Sequence, residues 1–235
     1  MSAPRKRVAV LISGRGSNMS TLIAAAAESD YPAEIVGVIS DNPEARGLGI
    51  AAGHGIPTKA LPRKDFASKE AHDAAIGAAL TGFGAEIVAL AGYMRLLTPG
   101  FTRTWEGRMI NIHPALLPSF KGLDTHRRAL DAGVRIHGCT VHFVNDGMDE
   151  GAIIAQAAVP VLTDDTEDTL TARVLKAEHK LYPLALRLVA EGGIRLEGGR
   201  TVYRDVVESD TLPTILAPDP LRQIMDLEGL ARITP

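Results

Sequence analysis

Aromatic side chains are scarce in this sequence of 235 residues: Phe, Trp and Tyr together make up 4 %, with a single tryptophan. Cysteine is scarcer still. Cys139 stands alone, which excludes an intramolecular disulfide and fits a reducing compartment. An excess of one charge is also missing. Lys and Arg number 25 against 28 Asp and Glu, a formal charge of −3, so composition gives no reason to expect nucleic acid as a partner. Nor is there a long hydrophobic run. The apolar stretch 8–12 is too short for a signal-peptide core, and nothing approaches the roughly 20 residues of a membrane span. The expectation is a cytoplasmic protein without a membrane segment.

What is present is ample core material. Hydrophobic residues make up 46 % of the chain, so no structural metal or disulfide staple is required. The length suits one large α/β domain, or one domain with a small appendage. Apolar runs and helix-forming stretches alternate, the signature of a mainly parallel twisted sheet with helices on both faces. Strands are expected at 8–12, 34–40, near 58–61, at 86–91, 108–112, 140–144 and 153–161. Helices are expected at 17–28, 44–53, 65–81 and 166–191, the last capped by Asp165 or Thr166. Gly192-Gly193 and Gly198-Gly199 punctuate a short C-terminal hairpin, and a proline-containing tail with a short helical pattern follows. There is no internal repeat, and the Ala24–Ala27 run reads as helix.

Two segments carry chemistry. Gly14-Arg15-Gly16-Ser17-Asn18 sits at a strand-to-helix junction, where glycine permits close backbone approach and helical N–H groups face outward. That makes an anion site, phosphate by preference. It lacks the third glycine of the dinucleotide fingerprint and the Gly-Lys-Ser/Thr of a P-loop. Taken alone it reads equally as a tight turn with Ser17 or Asn18 capping the helix. The second segment is Asn111-Ile112-His113-Pro114-Ala115-Leu116-Leu117-Pro118, where an apolar strand runs out. Residues two apart on a strand share a face, so Asn111 and His113 project together while Ile110 and Ile112 enter the core. An amide donor beside an imidazole suits acyl transfer: one stabilises an oxyanion, the other moves a proton.

Further on, Gly138-Cys139-Thr140-Val141-His142-Phe143-Val144 leads into the polar loop Asn145-Asp146-Gly147-Met148-Asp149, and a Glu178-His179 pair lies in the late helix. With the Asn/His strand end, the Leu-Leu-Pro turn and the Ser-Gly-Arg-Gly-Ser-Asn loop, this ordered set resembles the formyltransferases that use a formyl-tetrahydrofolate donor. The likeness runs from about Arg7 to Arg204 and falls within the purine-biosynthetic branch, whose acceptor is glycinamide ribonucleotide. The resemblance implies a Rossmann-like formyltransferase fold over 1–204, with a phosphate-binding half at about 1–105 and a folate-binding, catalytic half at about 106–204. The stretch 205–235 is a C-terminal extension.

The same resemblance implies roles for individual residues. Gly16, Ser17 and Asn18 contact the nucleotide's 5′-phosphate. Leu175, Lys176, Ala177 and Glu178 contact its ribose, Glu178 most directly. Met94, Arg95, Leu96 and Leu97 wall the folate pocket, with Arg95 as cationic partner for the donor's glutamate tail or pterin edge. Asn145, Asp146, Gly147, Met148 and Asp149 form the loop whose backbone reads the pterin, and Asn111 also borders the donor. Lys69 stands where the family often has an arginine that touches the donor, and it lacks the bidentate fork. Ala115 replaces a serine found in many relatives.

The implied reaction is direct formyl transfer from 10-formyltetrahydrofolate, the co-substrate, to the acceptor's primary amine. Asn111 is the oxyanion donor, His113 the general acid, and Asp149 supports the protonated imidazole. Cys139 has no assigned role. No metal is implied: His113, His126, His137 and His142 lack the helical i, i+4 spacing of a zinc hydrolase. Small-molecule substrates are the expected partners, and the state is monomer or homodimer. A formyltetrahydrofolate deformylase remains the alternative, disfavoured by the phosphate-type loop and by the start of the sequence at its first strand. A methionyl-tRNA formyltransferase would need a tRNA-binding domain and a basic surface, whereas about thirty residues follow the core.

Overall fold

In a computed structural model, residues 4–204 of the chain are described. The first apolar run becomes strand β1 (Lys6–Ile12), whose last five residues are fully buried. Val8, Val10 and Ile12 pack into one hydrophobic cluster, Ala9 and Leu11 into another on the opposite face. A strand covered on both sides reads as continuous apolar sequence, because neither face meets water. Helix α1 (Ser17–Ala27), strand β2 (Ala33–Ser40), helix α2 (Arg46–Gly53) and the short strand β3 (Thr58–Ala60) follow. Next come α3 (Lys69–Gly82), β4 (Ile87–Leu90), α4 (Pro99–Thr104), β5 (Met109–His113), α5 (Thr125–Asp131), β6 (Ile136–Phe143), β7 (Ile153–Pro160) and α6 (Glu167–Ala190). A separate hairpin, β8 (Ile194–Glu197) and β9 (Arg200–Tyr203), ends the described chain.

The sheet order is β3-β2-β1-β4-β5-β6-β7. Strands β1 to β5 run parallel, and β6 and β7 are added antiparallel. Helices α1 and α6 cover the first cluster; α3 and α4 cover the second. This is the expected α/β architecture, a mainly parallel sheet with helices on both faces and a C-terminal hairpin. The order reverses between β1 and β4, and in open α/β sheets the crevice at such a switch point is where ligands bind. The carboxyl ends of β1, β4 and β5 therefore meet at one edge, bringing together three loops far apart in sequence.

Helix α6 braces that edge. Thr166 caps it, its side chain and that of Thr169 each serving the other's backbone N–H in a capping box, with Glu167 and Asp168 at the positive dipole end. The buried Tyr182 hydroxyl lies between the carbonyls of Leu90 (2.9 Å) and Ile110 (3.3 Å), tying α6 to the end of β4 and to the first half of β5. Among the described residues no helix is long and apolar enough to cross a membrane.

Several element boundaries differ from the sequence reading. Helix α3 starts at Lys69 rather than 65, because the Ser68 hydroxyl caps it by accepting from the Ala71 N–H (3.1 Å) while Arg63–Asp65 forms a separate 3-10 turn. Strand β6 starts at Ile136, four residues earlier than expected. Gly138 sits inside it because a Cβ there would lie 2.0 Å from the Ala157 carbonyl oxygen of β7. The short helices α4 and α5 were not anticipated; α4 carries the Thr98 cap and Pro99 at its first turn. The helical pattern expected in the tail lies outside the described residues.

Candidate active site

Strand β5 delivers Asn111 and His113 to the crevice as the two-residue period requires, with Ile110 and Ile112 buried behind them. His113 is 5 % exposed. Its Nδ1 lies 3.4 Å from Asp149 Oδ2, and its Nε2 lies 3.0 Å from the Phe120 carbonyl oxygen. A carbonyl only accepts, so Nε2 carries a hydrogen and donates. Asp149 has a backbone φ of 54°, in the left-handed region, and its Oδ2 also accepts from the Gly122 N–H (2.9 Å). The 120–122 stretch thus touches both members of the pair. A ligand that is to receive the His113 Nε2 hydrogen must displace the Phe120 carbonyl.

The amide of Asn111 is oriented by a residue the sequence reading left without a role. Antiparallel pairing sets His142 of β6 opposite Asn111. His142 Nδ1 lies 2.8 Å from the Phe143 carbonyl, so Nδ1 is the protonated nitrogen and Nε2 accepts from Asn111 Nδ2 at 3.2 Å. Burial pushes the His142 pKa down, keeping the ring neutral and able to accept. One Asn111 N–H remains for a ligand. Nothing in the sequence alone pairs His142 with Asn111; the contact depends on the β5–β6 register. The adjoining turn is fastened by Thr140, whose hydroxyl donates to the Ala115 carbonyl (2.7 Å) and accepts from the Leu117 N–H (3.0 Å). Ala115 leaves that fastening intact.

The β1–α1 junction has the form of an anion cradle. Gly16, at φ 75°, occupies the helix N-cap position, and no side chain caps the first turn of α1. Ser17 and Asn18 therefore do not cap it. A Cβ on Gly16 would approach the Gly47 Cα of α2 to 2.9 Å, so the left-handed turn and the close packing both demand glycine. Asn18 turns instead toward α6, its Nδ2 donating to Glu178 Oε2 at 2.7 Å in a buried contact. Burial raises the Glu178 pKa, and the Asn18 bond opposes this. The cradle and Glu178 are thereby joined. Lys176 and Ala177 point elsewhere, lining a groove of about 360 Å³ with Ala157, Val159, Leu181 and Leu184, and Leu175 is half-buried.

Between the two sites, the stretch after β4 carries no regular structure. Met94 and Leu96 are 71 % and 64 % exposed. Arg95 Nε donates to Asp41 Oδ2 at 2.7 Å, and Lys69 Nζ donates to the Leu97 carbonyl at 3.3 Å. In the 145–149 loop, Asn145 Oδ1 accepts from the Gly147 N–H (3.1 Å), and Met148 is exposed beside Gly122. The Asp146 carboxylate faces α4, accepting from the Thr102 hydroxyl and from Arg103 (3.1 Å), which lower its pKa in that order. Asn145, Asp146 and Gly147 border a cavity of about 390 Å³ shared with Thr102, Arg103 and Leu196. Among the described residues no cluster of three or more His, Cys, Asp or Glu is placed to hold a metal.

A formyl transferase family model matches residues 6–186, which contain the whole of this site. The chain belongs to the formyl transferase family. Among relatives of this formyl transferase, the bovine trifunctional purine biosynthetic protein adenosine-3 is 52 % identical over 202 residues, 85 % of this chain and 20 % of the relative. The chain thus spans about a fifth of that protein's length. The phosphoribosylglycinamide formyltransferase of Haemophilus influenzae is 44 % identical over 82 % of this chain and 91 % of its own. The crystal structure of phosphoribosylglycinamide formyltransferase from Brucella melitensis is 61 % identical, with a TM-score of 0.77 over 79 % of this chain and 96 % of that one. A formyltetrahydrofolate deformylase from Pseudomonas syringae is 28 % identical at a TM-score of 0.79, covering 86 % of this chain and 67 % of its own.

Proposed function

We propose that this formyl transferase moves the formyl group of 10-formyltetrahydrofolate to the primary amine of glycinamide ribonucleotide, in purine biosynthesis. The observation that carries the reading is the convergence of Asn111, His113 and Asp149 at the β5 end, across the crevice from a glycine-built anion cradle. Relatives named for this reaction match along most of their length, whereas the deformylase matches at lower identity over two thirds of its own.

In the proposed reaction, the 5′-phosphate rests on the backbone of Gly16, Ser17 and Asn18, and Glu178 reads the ribose. The donor lies along Met94, Arg95, Leu96 and Leu97, with Lys69 behind them and the backbone of Asn145 to Asp149 at its pterin. The amine nitrogen attacks the formyl carbon, and the free Asn111 N–H receives the oxygen as it gains charge. His113 Nε2 exchanges the Phe120 carbonyl for the substrate and donates its proton to the departing folate nitrogen. Asp149 steadies the imidazolium form. The amine loses one proton and the folate nitrogen gains one, so no covalent enzyme intermediate and no metal enter the balance.

A spectrophotometric transfer assay with the formyl donor, run with and without glycinamide ribonucleotide, tests this. Turnover dependent on the nucleotide is expected. Equal turnover without it would replace the transferase reading with a deformylase.

A further inference from the structure

The stretch between β4 and α4 has no helix or strand of its own, yet beyond the Ala91 N–H, which donates to the Leu11 carbonyl (2.9 Å), it is pinned at five points. Ser13 donates its N–H to the Gly92 carbonyl (3.1 Å), and its hydroxyl accepts from the Met94 N–H (2.9 Å). Lys69 holds the Leu97 carbonyl, and Asp73 accepts from the Thr98 N–H (2.7 Å). The fifth point joins different strands: Asp41, just past the end of β2, holds Arg95 by an ion pair of 2.7 Å that passes over the end of β1.

The acid of that pair is largely buried, whereas its base is not. The Asp41 side chain is 10 % exposed, and its Oδ1 is buried without a hydrogen-bond partner among the described residues. A carboxylate so far removed from water is costly unless its charge is met, and the Arg95 guanidinium meets it. Arg95 is therefore held toward the end of β2. Met94 and Leu96 are both large apolar side chains left largely exposed. Apolar groups held outward on an irregular backbone lose less entropy when a flat ring system covers them.

We propose that Asp41 is a positioning residue for the formyl donor: through Arg95 it orients the 94–97 wall and presents Met94 and Leu96 to the donor's rings. This rests on the reading of that wall as the donor site. Asp41 touches neither substrate and takes no part in proton transfer.

Initial rates with donor and nucleotide varied in turn, on Asp41→Asn, Asp41→Glu, Arg95→Met and the Asp41→Asn/Arg95→Met double variant, test it. Each of Asp41→Asn and Arg95→Met should raise donor KM about five- to tenfold, with kcat and nucleotide KM within about twofold of wild type. The double variant should be no worse than either single one, and Asp41→Glu should recover part of the loss. Effects that multiply in the double variant, or a rise in nucleotide KM in place of donor KM, would overturn the proposal. Leu96→Ser separates the two claims. An unchanged donor KM there removes the wall itself, whereas a raised donor KM there beside an unaffected Asp41→Asn removes only Asp41's part. If Asp41→Asn does not fold, Asp41→Ser takes its place, and an unchanged donor KM in it contradicts the strut.

Discussion

The cradle at the end of β1 and the proton-handling edge at the end of β5 lie at the same rim of the sheet but are built from different material. The cradle is backbone: a left-handed glycine, an uncapped helix end, and Gly16 packed against Gly47. The β5 edge is side chain: an amide held by the His142 ring nitrogen, and two imidazoles and a carboxylate held by a carbonyl or N–H from the 120–122 or 142–143 stretches. The first kind of site recognises a shape and a charge and is sensitive to sterics. The second performs chemistry and is sensitive to which atom carries a proton. Substitutions in the two regions should therefore fail in different kinetic terms.

The largest effects belong to the β5 edge. Asn111→Ala should lower kcat by about 10²–10³, and His113→Ala by about 10²–10⁴, in steady-state assays with the nucleotide still bound. His142→Phe should follow Asn111→Ala, with a smaller loss, because the amide keeps its N–H groups but loses the acceptor that aims them. Near-full turnover in His113→Ala would remove the proton role given to it.

In the cradle, Gly16→Val should raise nucleotide KM by roughly tenfold or more and change kcat little, since left-handed strain and the Gly47 contact both push the loop out of shape. If donor KM rose instead, the two pockets are exchanged. A further contrast is set by pH. Burial, with smaller contributions from His126 and His113, depresses His137 to about 4, whereas the unfolded chain takes up that proton near 6.5. Its contribution to stability is complete above about pH 6.5 and is lost as pH falls toward 4, up to about 3 kcal/mol. Chemical denaturation at stepped pH should show that slope, and His137→Leu should reduce it, since burial also lowers His126, His142 and His179. The smallest effect is expected at Asp146. Its contacts to the buried Thr102 and the exposed Arg103 anchor the loop from behind, so Asp146→Ala should raise donor KM less than about threefold.

The contrast also explains what could be read from the sequence. The cradle and the paired projection of Asn111 and His113 follow from local rules: glycine at a strand exit, a period of two along a strand, a Thr cap before α6. The partners that aim these groups depend on register and chain crossing. His142 becomes the acceptor for Asn111 only through the β5–β6 pairing, and Phe120 meets His113 only because the turn after β5 folds back. Asp41 reaches Arg95 across the end of an intervening strand. The start of β6 departs from the sequence expectation for a related reason. Gly138 looks like a strand breaker until the Ala157 carbonyl that excludes a side chain there is known.

The most direct measurement is of kcat and nucleotide KM, side by side, for Gly16→Val and His113→Ala. A division of labour between backbone cradle and strand-end side chains predicts opposite patterns: raised KM with preserved kcat in the first, collapsed kcat with preserved KM in the second. The same pattern in both variants would contradict it.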